Sequence, residues 1–164
     1  MTTLQILLMD CIYLVFLGLL IYFTRATARR VIGALAGGAG AGFVGLGMIA
    51  LSESQGWWRV PSGSVPYFRL QLFVAFAVSM APVYLITWRV ARRFGWRGLA
   101  IFIGGVIVIG PPRDYLVAAT FPEWMVFAPG VAPILADAAT YLGMMALGHI
   151  LMRLVAGPAR ITAV

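Results

Sequence analysis

The sequence predicts an all-α protein: a polytopic membrane helical bundle of about five transmembrane helices. It forms one integral membrane domain over 1–164, with the N-terminus outside and the C-terminus cytoplasmic. Three observations lead there. Hydrophobic residues make up 62% of the chain, against about 45–50% in an ordinary soluble domain. Charged residues make up 10%, where a water-facing surface uses roughly a quarter. The apolar residues also fall in solid runs near the ~20 residues that cross a bilayer, without the alternation of a β-barrel strand.

The first run covers 4–23. It has no basic leader, carries Asp10 and is long enough to cross, so it reads as a retained helix rather than a cleaved signal. The second run covers 31–51 and is rich in glycine. The third covers 70–88, where Ser79, Pro82, Tyr84 and Thr87 add polarity and a kink. The fourth, 98–115, is short and meets Pro111 and Pro112, a pair expected to break the helix beside Arg113 and Asp114. The fifth covers 131–155. Between the second and third lies an outer loop, 52–69, whose Trp57, Trp58 and Tyr67 suit the bilayer interface and whose Pro61 and Pro66 oppose regular structure. A second outer segment, 116–130, reads as interfacial or partly re-entrant, with a hidden sixth span as the alternative.

Orientation follows from arginine placement. All twelve basic residues are Arg, giving a net charge of +7. Arg25, Arg29, Arg30, Arg89, Arg92, Arg93, Arg97, Arg153 and Arg160 share one side of a five-span chain, and Arg59, Arg69 and Arg113 the other. The richer side is cytoplasmic. Arginines at the ends of apolar runs point to anionic lipid headgroups, not to nucleic acid. The expected location is a bacterial cytoplasmic (inner) membrane.

Gly33, Gly37, Ala41 and Gly45 recur at four-residue spacing on the second helix, with Ala34, Gly38 and Gly42 as a neighbouring stripe. Small residues so spaced let helix backbones approach closely. The partner is either another helix of this chain or another subunit. The single cysteine, Cys11, lies inside the first run and forms no internal disulfide.

No phosphate loop, dinucleotide fingerprint, zinc motif or serine elbow is present, and no metal site is expected. The chemistry-bearing residues are the acids. All five (Asp10, Glu53, Asp114, Glu123 and Asp137) fall on the outer side or in its outer half. Asp10 and Asp137 sit at similar depth, and Arg113 is the best partner for a carboxylate there. Tyr13 and Tyr141 follow their aspartates at three and four residues, on roughly the same helix face. The candidate polar cluster is therefore Asp10, Tyr13, Arg113, Asp114, Asp137 and Tyr141. It supports two readings: an outer site for a cation, a proton or a ligand headgroup, or a structural set of paired charges. His149, the only histidine, lies roughly 18 Å further along the fifth helix than Asp137, and stands apart as a candidate single ligand.

Three function classes follow. The leading one is a non-catalytic subunit or hydrophobic-ligand-binding component of a larger membrane assembly, holding a lipid, quinone or pigment and contacting other membrane chains or itself. The second is an oligomeric ion or small-solute transporter using the outer aspartates. The third is an intramembrane enzyme on a lipid-like substrate, with Asp114 and Asp137 as acid and base or as oxygen ligands of a divalent ion, although no metal motif is present.

Overall fold

The structure, a computed structural model, describes residues 2–61 and 67–157. Pro66 and Arg160 lie outside the described residues. The described chain is almost wholly helical: α1 Thr3–Thr24, α2 Ala28–Gln55, α3 Phe68–Thr120 and α4 Val131–Ala156, with two-residue strands β1 Trp58–Arg59 and β2 Val126–Phe127. All four helices are long and apolar enough to cross a membrane. An α-helix satisfies every backbone group internally, which is why such sequences fold this way in lipid.

The helix ends have local causes. Thr2 caps α1: its hydroxyl accepts from the Gln5 backbone N–H while the Gln5 side chain accepts from the Thr2 N–H, a reciprocal capping box. The α1 C-cap, Arg25, takes a left-handed conformation at φ 48°. Gly56 closes α2 in the same region, at φ 68°, where glycine meets no Cβ penalty.

Helix α3 spans 53 residues, which at 1.5 Å each would reach about 80 Å, more than twice the ~30 Å of bilayer hydrocarbon. It is interrupted at Gly95, where φ 64° and ψ −160° leave helical geometry altogether. The contacts run in opposite senses on the two sides of that residue. Before it, Tyr84 reaches Met144, Thr87 reaches His149 and Trp88 reaches Gly157, so 68–94 runs parallel to α4. After it, Gly110 lies against Tyr141, and Tyr115 lies within electrostatic reach of Asp137, so 96–120 runs antiparallel to α4. Gly95 is thus a point of chain reversal.

Pro111 and Pro112 do not break the helix. Both stay in helical geometry, and the helix continues to Thr120. Proline removes one donor and crowds the carbonyl four residues back, yet in an apolar environment neighbouring groups let a helix absorb this. Arg113 and Asp114 therefore ride on an unbroken helix. Beyond it, 121–130 is a loop rather than a sixth helix. Its Val126–Phe127 pairs antiparallel with Trp58–Arg59, Trp58 opposite Phe127, and Ala128 N–H donates to Trp57 O at 2.8 Å.

The core is the three-way junction of α2, the first part of α3, and α4. Ala34, Ala41, Ala81 and Tyr84 have zero exposure there. A second, smaller cluster of Trp58, Val60 and Ala136, with Phe68, Leu72 and Phe127 packed on it, lies under the β1–β2 pair.

The glycine face of α2 is covered from within the chain. A Cβ on Gly37 would stand 2.6 Å from Gly148 O, and one on Gly33 2.9 Å from Met152 Sδ. Gly45 faces Met144 and Phe76. The neighbouring stripe meets α3: Gly38 abuts the backbone of Ala77 and Gly42 the ring of Phe73. The first stripe thus packs mainly on α4, with Tyr84 and Phe76 of α3 at its edge, and the second packs on α3.

Candidate functional site

One end of the bundle gathers the C-terminal end of α2, the start and far end of α3, the start of α4 and the β1–β2 pair. All five acidic residues belong to this half. The opposite end gathers Arg25, Arg29, Arg30, Arg89, Arg92, Arg93 and Arg153.

At the acid end, three expected residues form a closed ring. Arg113 donates from Nε at 2.9 Å and from Nη2 at 2.6 Å, both to Asp114 Oδ1. The same Nη2 donates to Tyr141 Oη at 2.6 Å. Tyr141 in turn donates to Asp114 Oδ2 at 2.7 Å. Neighbouring positions on a helix do not face each other, so the long Arg113 side chain folds back to reach Asp114. Gly110 makes room: a Cβ there would enter the Tyr141 ring. The Arg113 side chain as a whole remains 60% exposed, whereas that of Asp114 is 14% exposed. Every Asp114 oxygen is engaged and the pair is neutral overall, which leaves Asp114 poorly placed as a general acid or base.

Asp137 sits one helical turn before Tyr141 and is only 5% exposed. Its Oδ2 is buried with no hydrogen-bond partner. It lies within electrostatic reach of Asp114, Arg113 and Tyr115, but Arg113 is already committed. Tyr115 was not singled out by the sequence. Its hydroxyl is also buried and unpartnered, and its ring stacks on Phe127 at 4.1 Å. The β1–β2 pair therefore covers Tyr115, with the buried Trp58 5.6 Å from Phe127 on the other side.

Ser52 adds a further buried hydroxyl, fully enclosed and without a partner. The antiparallel register of α2 on α4, set by Gly37 against Gly148 and Gly45 against Met144, carries Ser52 to about the level of Asp137.

Tyr13 lies within electrostatic reach of Arg113. Asp10, one turn earlier on α1, is not brought into the ring: its Oδ1 is buried and unpartnered on its own helix. The six expected residues thus divide into a bonded trio, Asp137 and Tyr13 beside it, and Asp10 apart.

His149 belongs to the other half of α4. Thr87 donates its one hydroxyl hydrogen to Tyr84 O at 3.0 Å. The same Oγ1 lies 3.1 Å from His149 Nδ1 and ties the imidazole to α3. The His149 Nε2 is buried without a partner. The nitrogen has almost no accessible surface.

Among the described residues no group of three or more His, Cys, Asp or Glu side chains is placed to hold a metal ion. No family model matches the chain, and no characterised protein or solved structure matches it either.

Proposed function

We propose that this chain is a five-pass integral membrane protein, N-terminus outside and C-terminus cytoplasmic, that takes up a proton or small cation at Asp137 from the outer side. Five crossings are supported by the reversal at Gly95, and the orientation by the crowding of arginines at one end. On this reading the membrane is a bacterial cytoplasmic one.

The observation that carries the ion-handling reading is Asp137 itself. A buried carboxylate without a partner is costly in lipid, and such groups mark ion or proton paths. The Arg113–Asp114 pair is internally neutral and bonded through both carboxylate oxygens, so it offers Asp137 no free counter-charge. A proton or a cation does. Tyr115 supplies a neutral oxygen within electrostatic reach of it, and the β1–β2 pair, through Phe127, forms a cover over that ring.

The test is purified protein in liposomes loaded with a pH-, sodium- or potassium-sensitive dye, each under an imposed gradient of its own ion. Wild-type protein should carry flux above empty liposomes, and Asp137→Asn should lower it more than about tenfold. Wild-type flux equal to empty liposomes under all three gradients would defeat the reading.

The accessory-subunit reading rests on a different feature. Helix α1 packs chiefly against α3, and only 11% of its most apolar window is buried. Leu4, Leu7, Leu8, Ile12 and Val15 are open along it. That surface suits lipid, another membrane chain, a second copy of this one, or an apolar ligand such as a quinone or pigment. The glycine face no longer argues for an external partner, because α3 and α4 occupy it.

A further inference from the structure

The arginine end holds a cleft of about 410 Å³ between the end of α1, the start of α2 and the 85–93 stretch of α3. Arg30, Arg89, Arg92 and Arg93 line it, around Leu85 and Trp88. All five acidic residues lie in the other half of the bundle, so no carboxylate reaches these guanidinium groups among the described residues. Four like charges share one cleft without a counter-ion.

Two neighbouring cations are already engaged by helix ends. Arg29 donates to Val155 O at 2.7 Å, and Arg89 to Thr24 O at 3.3 Å. Arg30 and Arg92 are not. Each instead lies over the Trp88 ring, at 4.2 Å and 5.6 Å from its centroid. Trp88 is 7% exposed, and its indole N–H points to Gly157 O at 3.4 Å. A fixed aromatic ring holds both guanidiniums in place while leaving their N–H groups free to donate.

We infer that this cleft binds a phosphate-bearing anion through Arg30 and Arg92, and that its occupant is the headgroup of an anionic phospholipid. Planar guanidiniums match phosphate oxygens by paired hydrogen bonds. Basic clefts between membrane helices on the cytoplasmic side take lipid headgroups, and the open apolar surface toward the end of α1, with Leu19 and Phe23, offers the adjoining path for an acyl chain. The inference uses none of the acid-end residues and stands independently of ion uptake at Asp137.

Native mass spectrometry of the full chain in neutral detergent provides the test, after exchange with dioleoylphosphatidylglycerol or dioleoylphosphatidylcholine. Phosphatidylglycerol should be retained over phosphatidylcholine by about tenfold. The double variant Arg30→Gln/Arg92→Gln should abolish that preference, whereas Arg97→Gln, on the same end but outside the cleft, should preserve it. Arg92→Lys provides a second variant should the double one fail to fold. It keeps the charge and loses the planar fork, and should reduce the preference partly. Millimolar inorganic phosphate added to the lipid-loaded protein separates the sources: displacement of the lipid means the phosphate group alone is recognised, and resistance means the whole lipid is. Both support the cleft as a phosphate site. Equal retention of the two lipids by wild type would overturn it. So would a loss of preference in Arg97→Gln as large as in the double variant, since bulk charge would then suffice.

Discussion

Helices α1 and α2 are both apolar enough to cross a membrane, and they do opposite jobs. The more hydrophobic is α1, with a mean hydropathy of 2.4 over its most apolar window, and 11% of that window is buried. The corresponding values for α2 are 1.7 and 39%. In water the greasier segment would be the core. In lipid the ranking inverts, because leucine gains nothing by leaving one hydrocarbon environment for another. Close backbone packing becomes the source of association. Glycine and alanine allow it: α2 lays Gly33 and Gly37 on α4 and Gly38 and Gly42 on α3. Hydrophobicity marks what crosses the membrane, and smallness marks what lies at the centre.

The sharpest way to break this contrast is Gly38→Leu. The added side chain would enter the Ala77 backbone, which cannot yield as a flexible side chain can. Overpacking of ordinary cores costs about 1–3 kcal/mol, and a backbone clash belongs at or above the top of that range. The expected outcome is loss of the monodisperse species on size-exclusion chromatography. A Gly38→Leu protein that melts like wild type would mean α2 and α3 do not approach as described.

A smaller effect tests the polar end, where helix contact depends on hydrogen bonds. Tyr141→Phe removes one hydroxyl and with it two bonds of the ring, the one from Arg113 and the one to Asp114. The cost expected is about 1–3 kcal/mol, since Asp114 Oδ2 is left in a half-buried setting without its donor. Arg113 and Asp114 keep their direct contact, so the protein should fold and melt earlier. An unchanged melting temperature would mean that water replaces the phenol and that the ring adds no stability.

What the sequence made legible follows the same division. The apolar runs locate the helices, because lipid demands long unbroken stretches whatever their neighbours. The depth of Asp114, Asp137 and Tyr141 was legible from residue counts along each helix. Azimuth was not: nothing in the chain says that Arg113 folds onto its own neighbour while Asp10 faces elsewhere. Pro111 and Pro112 misled because a helix in an apolar bundle can tolerate proline where neighbouring groups satisfy the freed carbonyl, and helix 96–120 continues through them. The β1–β2 pair was hidden by its size, two residues on each side, joined across the whole of α3. The arginine-rich connection 89–97 separates the third and fourth expected spans, and the reversal falls inside it, but nothing local singled out Gly95. Its positive φ is what makes the residue type necessary.

The smallest expected effect sharpens the contrast between α1 and α2 most cleanly. Glycines occur on both helices, and a biased composition would produce them without any packing role. Gly18 on α1 has nothing within 4 Å of the position a Cβ would take, whereas Gly38 abuts backbone. The same substitution should therefore have opposite signs at the two sites. Gly18→Ala should raise stability by up to about 1 kcal/mol, since glycine is the poorer helix former and the methyl meets only open space. Gly38→Ala should lower it. Thermal melting of the two alanine variants side by side in one detergent measures the difference directly. If both rise together, the α2 glycines reflect composition, and the close approach of α2 to α3 loses its cause.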